Sequence, residues 1–107
     1  MTQTPLFTVI LDTYYRPALL QAAVEAFFRQ TYANLEIILV NNGGTPETTE
    51  YLHEAARGDT RVKLIHFAEN QYNLDDPQKM LDVCLNAGLR AATGAYVWYQ
   101  ADDDLIA

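Results

Sequence analysis

Three consecutive carboxylates, Asp102, Asp103 and Asp104, follow the aromatic and β-branched run Tyr96-Val97-Trp98-Tyr99. Adjacent like charges repel, so the cluster is costly unless water solvates it or a cation neutralises it. The triplet alone allows two readings. One is a solvated acidic strand end. The other is a hard-cation site, because carboxylates separated by one residue can bring oxygens to a single Mg²⁺ or Mn²⁺, which then binds a diphosphate. Position after an apolar strand raises the second reading, while spacing leaves both open.

The remaining reactive residue types offer less. His53 and His66 have no second histidine or cysteine at metal-ligand spacing, so both are read as structural. Cys84 has no partner for a disulfide and falls on the apolar side of a helical pattern, as a buried, inert thiol would. Tyr96 and Trp98 read as core residues of a strand. Tyr14 and Tyr15 differ, since aromatics at a strand-to-helix turn have less structural reason to be there and one can stack on a base. Gly43 and Gly44 suggest a tight turn, and the chain has neither a GxGxxG nor a P-loop pattern.

These residues need elements to position them. The runs Leu6 to Asp12, Glu36 to Asn41, Arg61 to Phe67 and Ala95 to Ala101 are apolar enough for strands covered on both faces. Helical patterns lie between them. One follows Pro17 with Leu19, Leu20, Ala23, Val24, Phe27 and Phe28 on one side. The next starts at Thr45-Pro46, with Tyr51, Leu52 and Ala55 inside and Glu47, Glu50 and Glu54 outside. The third opens at Asp76-Pro77 and is expected to run to Gly94. Alternating strands and helices imply right-handed crossovers and an α/β fold, a three-layer α/β/α sandwich around a mostly parallel sheet. Ligands bind outside the carboxyl ends of such strands, which here read DTYYRP, NNGGTP, AENQYNLDD and ADDDLIA.

Composition bounds the rest. With 107 residues, half of them hydrophobic, the chain is expected to be one domain, residues 1–107, with a real core. Its net charge of −7 makes nucleic acids and anionic membrane surfaces poor partners, and an anionic small ligand would need a cation to accompany it. No run approaches a membrane span and the start resembles no signal peptide, which gives a soluble, cytoplasmic expectation.

The segment TVILDTYYRPALLQAAVEAFFRQTYANLEIILVNNGGTPETTEYL resembles the opening of a family-2 glycosyltransferase of the GT-A type, and NAGLRAATGAYVWYQADDD resembles the stretch that runs into its acidic metal-binding motif. The resemblance covers nearly the whole chain, in the family's order and spacing. It implies the nucleotide-binding half of an inverting enzyme that binds a nucleotide-diphosphate sugar, most often a UDP-sugar, with Mn²⁺ or Mg²⁺. Thr13 and Tyr14 match the turn bordering the base, and Arg16 a basic residue often found there. Asn41 and Asn42 stand where the family commonly has two aspartates. Ala101 occupies the usual first aspartate of the acidic motif, Asp103 and Asp104 match its metal-contacting positions, and Asp102 lies near the ribose or metal. Asp12 replaces a usual proline, either hydrogen-bonding turn amides or adding negative charge near the site.

The resemblance also implies truncation, because family enzymes usually supply the catalytic base beyond this point, and no catalytic residue is assigned within the chain. A rival reading is a non-catalytic remnant serving as a binding or assembly module, favoured by Asn41, Asn42 and Ala101. A phosphoacceptor receiver domain is disfavoured, since the third strand ends in HFAEN and no lysine follows Lys79. The last strand is expected to expose an apolar edge or face through which the chain forms a homo-oligomer.

Overall fold

The computed structural model describes residues 5–13, 17–29, 34–67, 75 and 77–101. Its elements alternate as β1 (Phe7–Thr13), α1 (Pro17–Phe28), β2 (Leu35–Asn42), α2 (Pro46–Gly58), β3 (Val62–Phe67), α3 (Pro77–Ala91) and β4 (Tyr96–Ala101). The strands form a parallel sheet in the order β3-β2-β1-β4. The helix starts follow local chemistry. Thr45 caps α2 by accepting a 3.2 Å hydrogen bond from the Thr48 amide, and Pro46 takes the first turn, where its missing N–H costs nothing. Expected to reach Gly94, α3 instead ends at Ala91, and the Ala92 amide donates to the Leu89 carbonyl in a tighter final turn.

Successive strand residues point to opposite faces, and each face has its own helices. Val9 and Leu11 of β1, Leu35, Ile37 and Leu39 of β2, and Val62 of β3 pack with Ala23 and Val24 of α1 and Leu52 of α2. Ile10, Ile38 and Val40 pack on the other side with Cys84 of α3. Helices on both faces make the expected three layers, and β2 and, after Phe7, β1 are buried because they lie inside the sheet and between the helices. Burial of Cys84, and secondarily the charge of Asp12, pushes its thiol up to about 12, as an inert core cysteine requires. No helix among the described residues is long and apolar enough to cross a membrane.

The strand β4 departs from its expected burial. Tyr96 is 59% exposed and Trp98 52%, so neither is a core residue here. Both sit on the face of α1 and α2, but among the described residues β4 is an edge strand, and α2 packs on the sheet toward β2 and β3. Tyr96 is covered in part by stacking on Phe7, with ring centroids 6.1 Å apart.

A buried carboxylate ties the amino ends of the strands together. Glu36 accepts from Thr8 Oγ1 at 2.8 Å, from the Thr93 amide at 2.8 Å and hydroxyl at 2.7 Å, and from Lys63 Nζ. Burial alone would raise its pKa, but the Lys63 ammonium and the hydrogen bonds from Thr93 and Thr8 outweigh that and hold the carboxyl at about 2. Gly94 closes the same corner. Its amide donates to Thr8 Oγ1, and a Cβ there would lie 2.8 Å from the Thr8 nitrogen and 2.9 Å from the Leu6 oxygen, so the entry to β4 demands glycine.

Candidate donor-binding site

The strand order fixes where a ligand can enter. From β1 the chain crosses to β2 and then β3 on one side, whereas β4 returns to the opposite side of β1. The direction of strand progression thus reverses at β1, and in open parallel sheets ligands bind outside the carboxyl ends of the strands at such a switch point. Asp12 lies opposite Ala101 and Thr13 opposite Asn41, so the ends of three strands meet in one row. Ala101 is the last described residue and directly precedes the acidic triplet.

Asp12 is 8% exposed, and its Oδ1 accepts from the Tyr99 hydroxyl at 2.6 Å. This hydroxyl comes from the neighbouring strand, and the contact binds β1 to β4 near the carboxyl ends of the strands. Thr13 is buried at the end of β1.

Asn41 and Asn42 are both buried at the end of β2. Asn41 Oδ1 accepts from the Gly44 amide at 2.8 Å, and its Nδ2 faces Thr49 Oγ1 at 2.9 Å and His66 Nδ1 at 3.2 Å. The amide is thus committed to shaping the turn that follows β2 and anchoring it to α2 and β3. Gly43 supports that shape with φ 66°, a conformation side chains with a Cβ rarely adopt. Asn42 points to the opposite face of the sheet, opposite Phe67 of β3.

His66 is a participant that sequence reasoning left out. It pairs in register with Asn41 and shares its face, and its ring stacks on His53 of α2 with centroids 5.0 Å apart. Desolvation, and secondarily the charge of His53, lowers its pKa from 6.5. Counting parallel register from the ends of β2 and β3 would have brought His66 beside Asn41, but a search for metal-ligand spacing could not.

Tyr14, Arg16, Asp102, Asp103 and Asp104 lie outside the described residues. Among the described residues no group of three His, Cys, Asp or Glu side chains is placed to hold a metal ion.

The sequence pattern of Glycosyl transferase family 2 matches residues 8–107. The chain belongs to glycosyl transferase family 2. A glycosyltransferase of Haemophilus influenzae is 34% identical to it over 105 residues, 98% of this chain and 30% of that protein. The mannosyltransferase PcManGT of Pyrobaculum calidifontis, solved with GDP-Man and Mn²⁺, superposes with a TM-score of 0.77 at 26% identity over 97% of this chain and 29% of its own. TarS residues 1–349 of S. aureus, solved with UDP-GlcNAc, share the fold with a TM-score of 0.75 at 21% identity, covering 94% of this chain and 27% of theirs. The parallel sheet between helices is thus that of a GT-A glycosyltransferase. The family-2 chain spans about 30% of the length of the curated relatives it matches.

Proposed function

We propose that this family-2 chain forms the donor side of a glycosyl-transfer site, binding a nucleotide-diphosphate sugar together with a divalent cation. The observation that carries the reading is the adjacency of β1 and β4 at the switch point, because Thr13 ends one strand and the acidic triplet follows the other. Asp103 and Asp104 would hold Mn²⁺ or Mg²⁺, with Asp102 near the ribose. Thr13, Tyr14, Arg16 and Asn42 would border the base, and Asn41 would act through the turn it holds. A chain of net charge −7 repels a diphosphate, so the cation is needed to bring ligand and protein together. In transfer, the bound cation offsets the charge that develops on the leaving diphosphate. UDP-sugars are the first donors to test. The GDP-Man bound by PcManGT makes guanine nucleotides the second.

A second reading, a non-catalytic binding or assembly module, is favoured by Asn41, Asn42 and Ala101 at positions where family members commonly carry aspartates. Slow hydrolysis of a sugar nucleotide by the chain would favour the enzyme. Thermal unfolding tests the shared claim of binding: Mn²⁺ and UDP together should raise the Tm more than the two separate shifts combined, because a ligand selective for the folded state stabilises it by mass action. Strictly additive shifts with both UDP and GDP would contradict metal-dependent donor binding.

A further inference from the structure

Of the asparagines in the chain, Asn34, Asn41, Asn42, Asn70, Asn73 and Asn86, Asn42 alone precedes a glycine. The pair matters chemically because Gly43 has no Cβ to shield its backbone nitrogen, which can then reach the side-chain carbonyl carbon of the residue before it. Hydroxide removes the Gly43 amide proton, the nitrogen attacks Asn42 Cγ, and the new C–N bond closes a cyclic imide. The Cγ–Nδ2 bond breaks and, with a proton from water, the side-chain nitrogen leaves as ammonia. Water then opens the imide at either carbonyl, which leaves aspartate or isoaspartate at this position. One water is consumed and one ammonia released, with no oxidant or reductant.

The fold holds this pair in a form that resists cyclisation. Asn42 is the last residue of β2, paired in register with Phe67 and 1% exposed. Ring closure needs its ψ turned well away from the extended value of a strand, and burial keeps out the hydroxide that would take the Gly43 proton. Asn41 restrains the residues that follow. Its Oδ1 accepts from the Gly44 amide at 2.8 Å and its Nδ2 donates to Thr49 Oγ1 at 2.9 Å, which ties the turn to α2. Gly43 sits at φ 66°, so the residue this turn demands is also the one that makes Asn42 reactive once the turn opens. We propose that Asn42 is a site of spontaneous deamidation gated by local opening at the end of β2, with the Asn41 bridge among the contacts that set its rate. The change puts a carboxylate at a buried position, and isoaspartate lengthens the backbone where β2 meets the turn, so a chain that has reacted closes less well than before. On the donor-site reading the altered residue borders the nucleotide base, but the chemistry stands without that reading.

The test incubates the whole chain in mildly alkaline buffer, native or unfolded in guanidinium chloride, and follows each asparagine by peptide mass spectrometry. In guanidinium, Asn42 should convert ahead of every other asparagine. In native buffer it should convert at least about tenfold more slowly, because only the open fraction reacts. Asn41→Ala should speed native conversion of Asn42 about fivefold, the worth of one hydrogen bond, and leave the rate in guanidinium unchanged. If that variant does not fold, Thr49→Val, which removes only the contact to α2, takes its place with a change in the same direction. Equal rates at Asn42 in the native and unfolded chains would overturn the gating. Conversion in guanidinium that does not favour Asn42 would overturn the site itself. A native rate that neither Asn41→Ala nor Thr49→Val alters would overturn the role of the Asn41 bridge.

Discussion

The Tyr99 hydroxyl donates a 2.6 Å hydrogen bond to Asp12 Oδ1, joining β4 to β1 near the carboxyl ends of both strands. Hydrogen bonds to a charged, buried acceptor contribute more than neutral ones. Tyr99→Phe should therefore lower stability by about 1.5–3 kcal/mol. In urea titrations the midpoint should fall at unchanged slope. An unaltered midpoint would mean that the contact does not fasten the two strands.

Glu36 makes the fold acid-sensitive in a defined window. Its carboxyl titrates at about 2 in the folded chain against an ordinary 4.5, so the unfolded chain binds the proton first. The stabilisation is complete above 4.5 and is lost as pH falls from there toward 2. The size of the effect is on the order of 3 kcal/mol at 1.36 kcal/mol per pKa unit. Glu36→Gln should be less stable near neutrality and should lose much of its pH dependence between these limits. A variant as acid-sensitive as the parent would assign the effect to other groups.

The close approach of Gly94 to β1 gives a paired comparison. An added methyl there meets Thr8 and the Leu6 carbonyl, and backbone cannot move aside cheaply, so Gly94→Ala should cost at least about 2 kcal/mol. At Gly58, where a Cβ meets nothing within 4 Å, the same change at the end of α2 should be neutral or stabilising by up to about 1 kcal/mol. Equal effects at the two positions in thermal unfolding would contradict this reading of the β4 entry.

Much of the architecture was legible because its causes are local. Thr45-Pro46 specifies the start of α2 by capping chemistry, and the apolar runs of β1 and β2 specify strands buried on both faces. The exposure of Tyr96 and Trp98 was not legible, because it depends on which helices reach the sheet edge rather than on the strand's own composition. At the site, the run Asn41 to Gly44 announced a turn, but the commitment of the Asn41 amide required Thr49 and His66, brought together by helix docking and strand register. The identity of the strand ends was readable. Their hydrogen-bond partners were not.

The exposed face of β4 should seat a second copy of this chain. Tyr96 and Trp98 leave large apolar surface on one face of a strand that is at the sheet edge among the described residues, which favours association. Trp98 is the only tryptophan, so its emission reports on this face. Raising the protein concentration should shift that emission to the blue as the sedimentation coefficient increases, and Trp98→Glu should remain monomeric. A monomer at high concentration with unshifted emission would contradict pairing through β4.

Calorimetric titration of the chain with UDP and with GDP, each with and without Mn²⁺, and repeated with Asp103→Asn, tests the donor-site claim most directly. Binding of one nucleotide that requires both Mn²⁺ and Asp103 is expected. Binding that is indifferent to Mn²⁺ or to Asp103→Asn, or no binding of either nucleotide, would contradict a metal-dependent donor site on this chain.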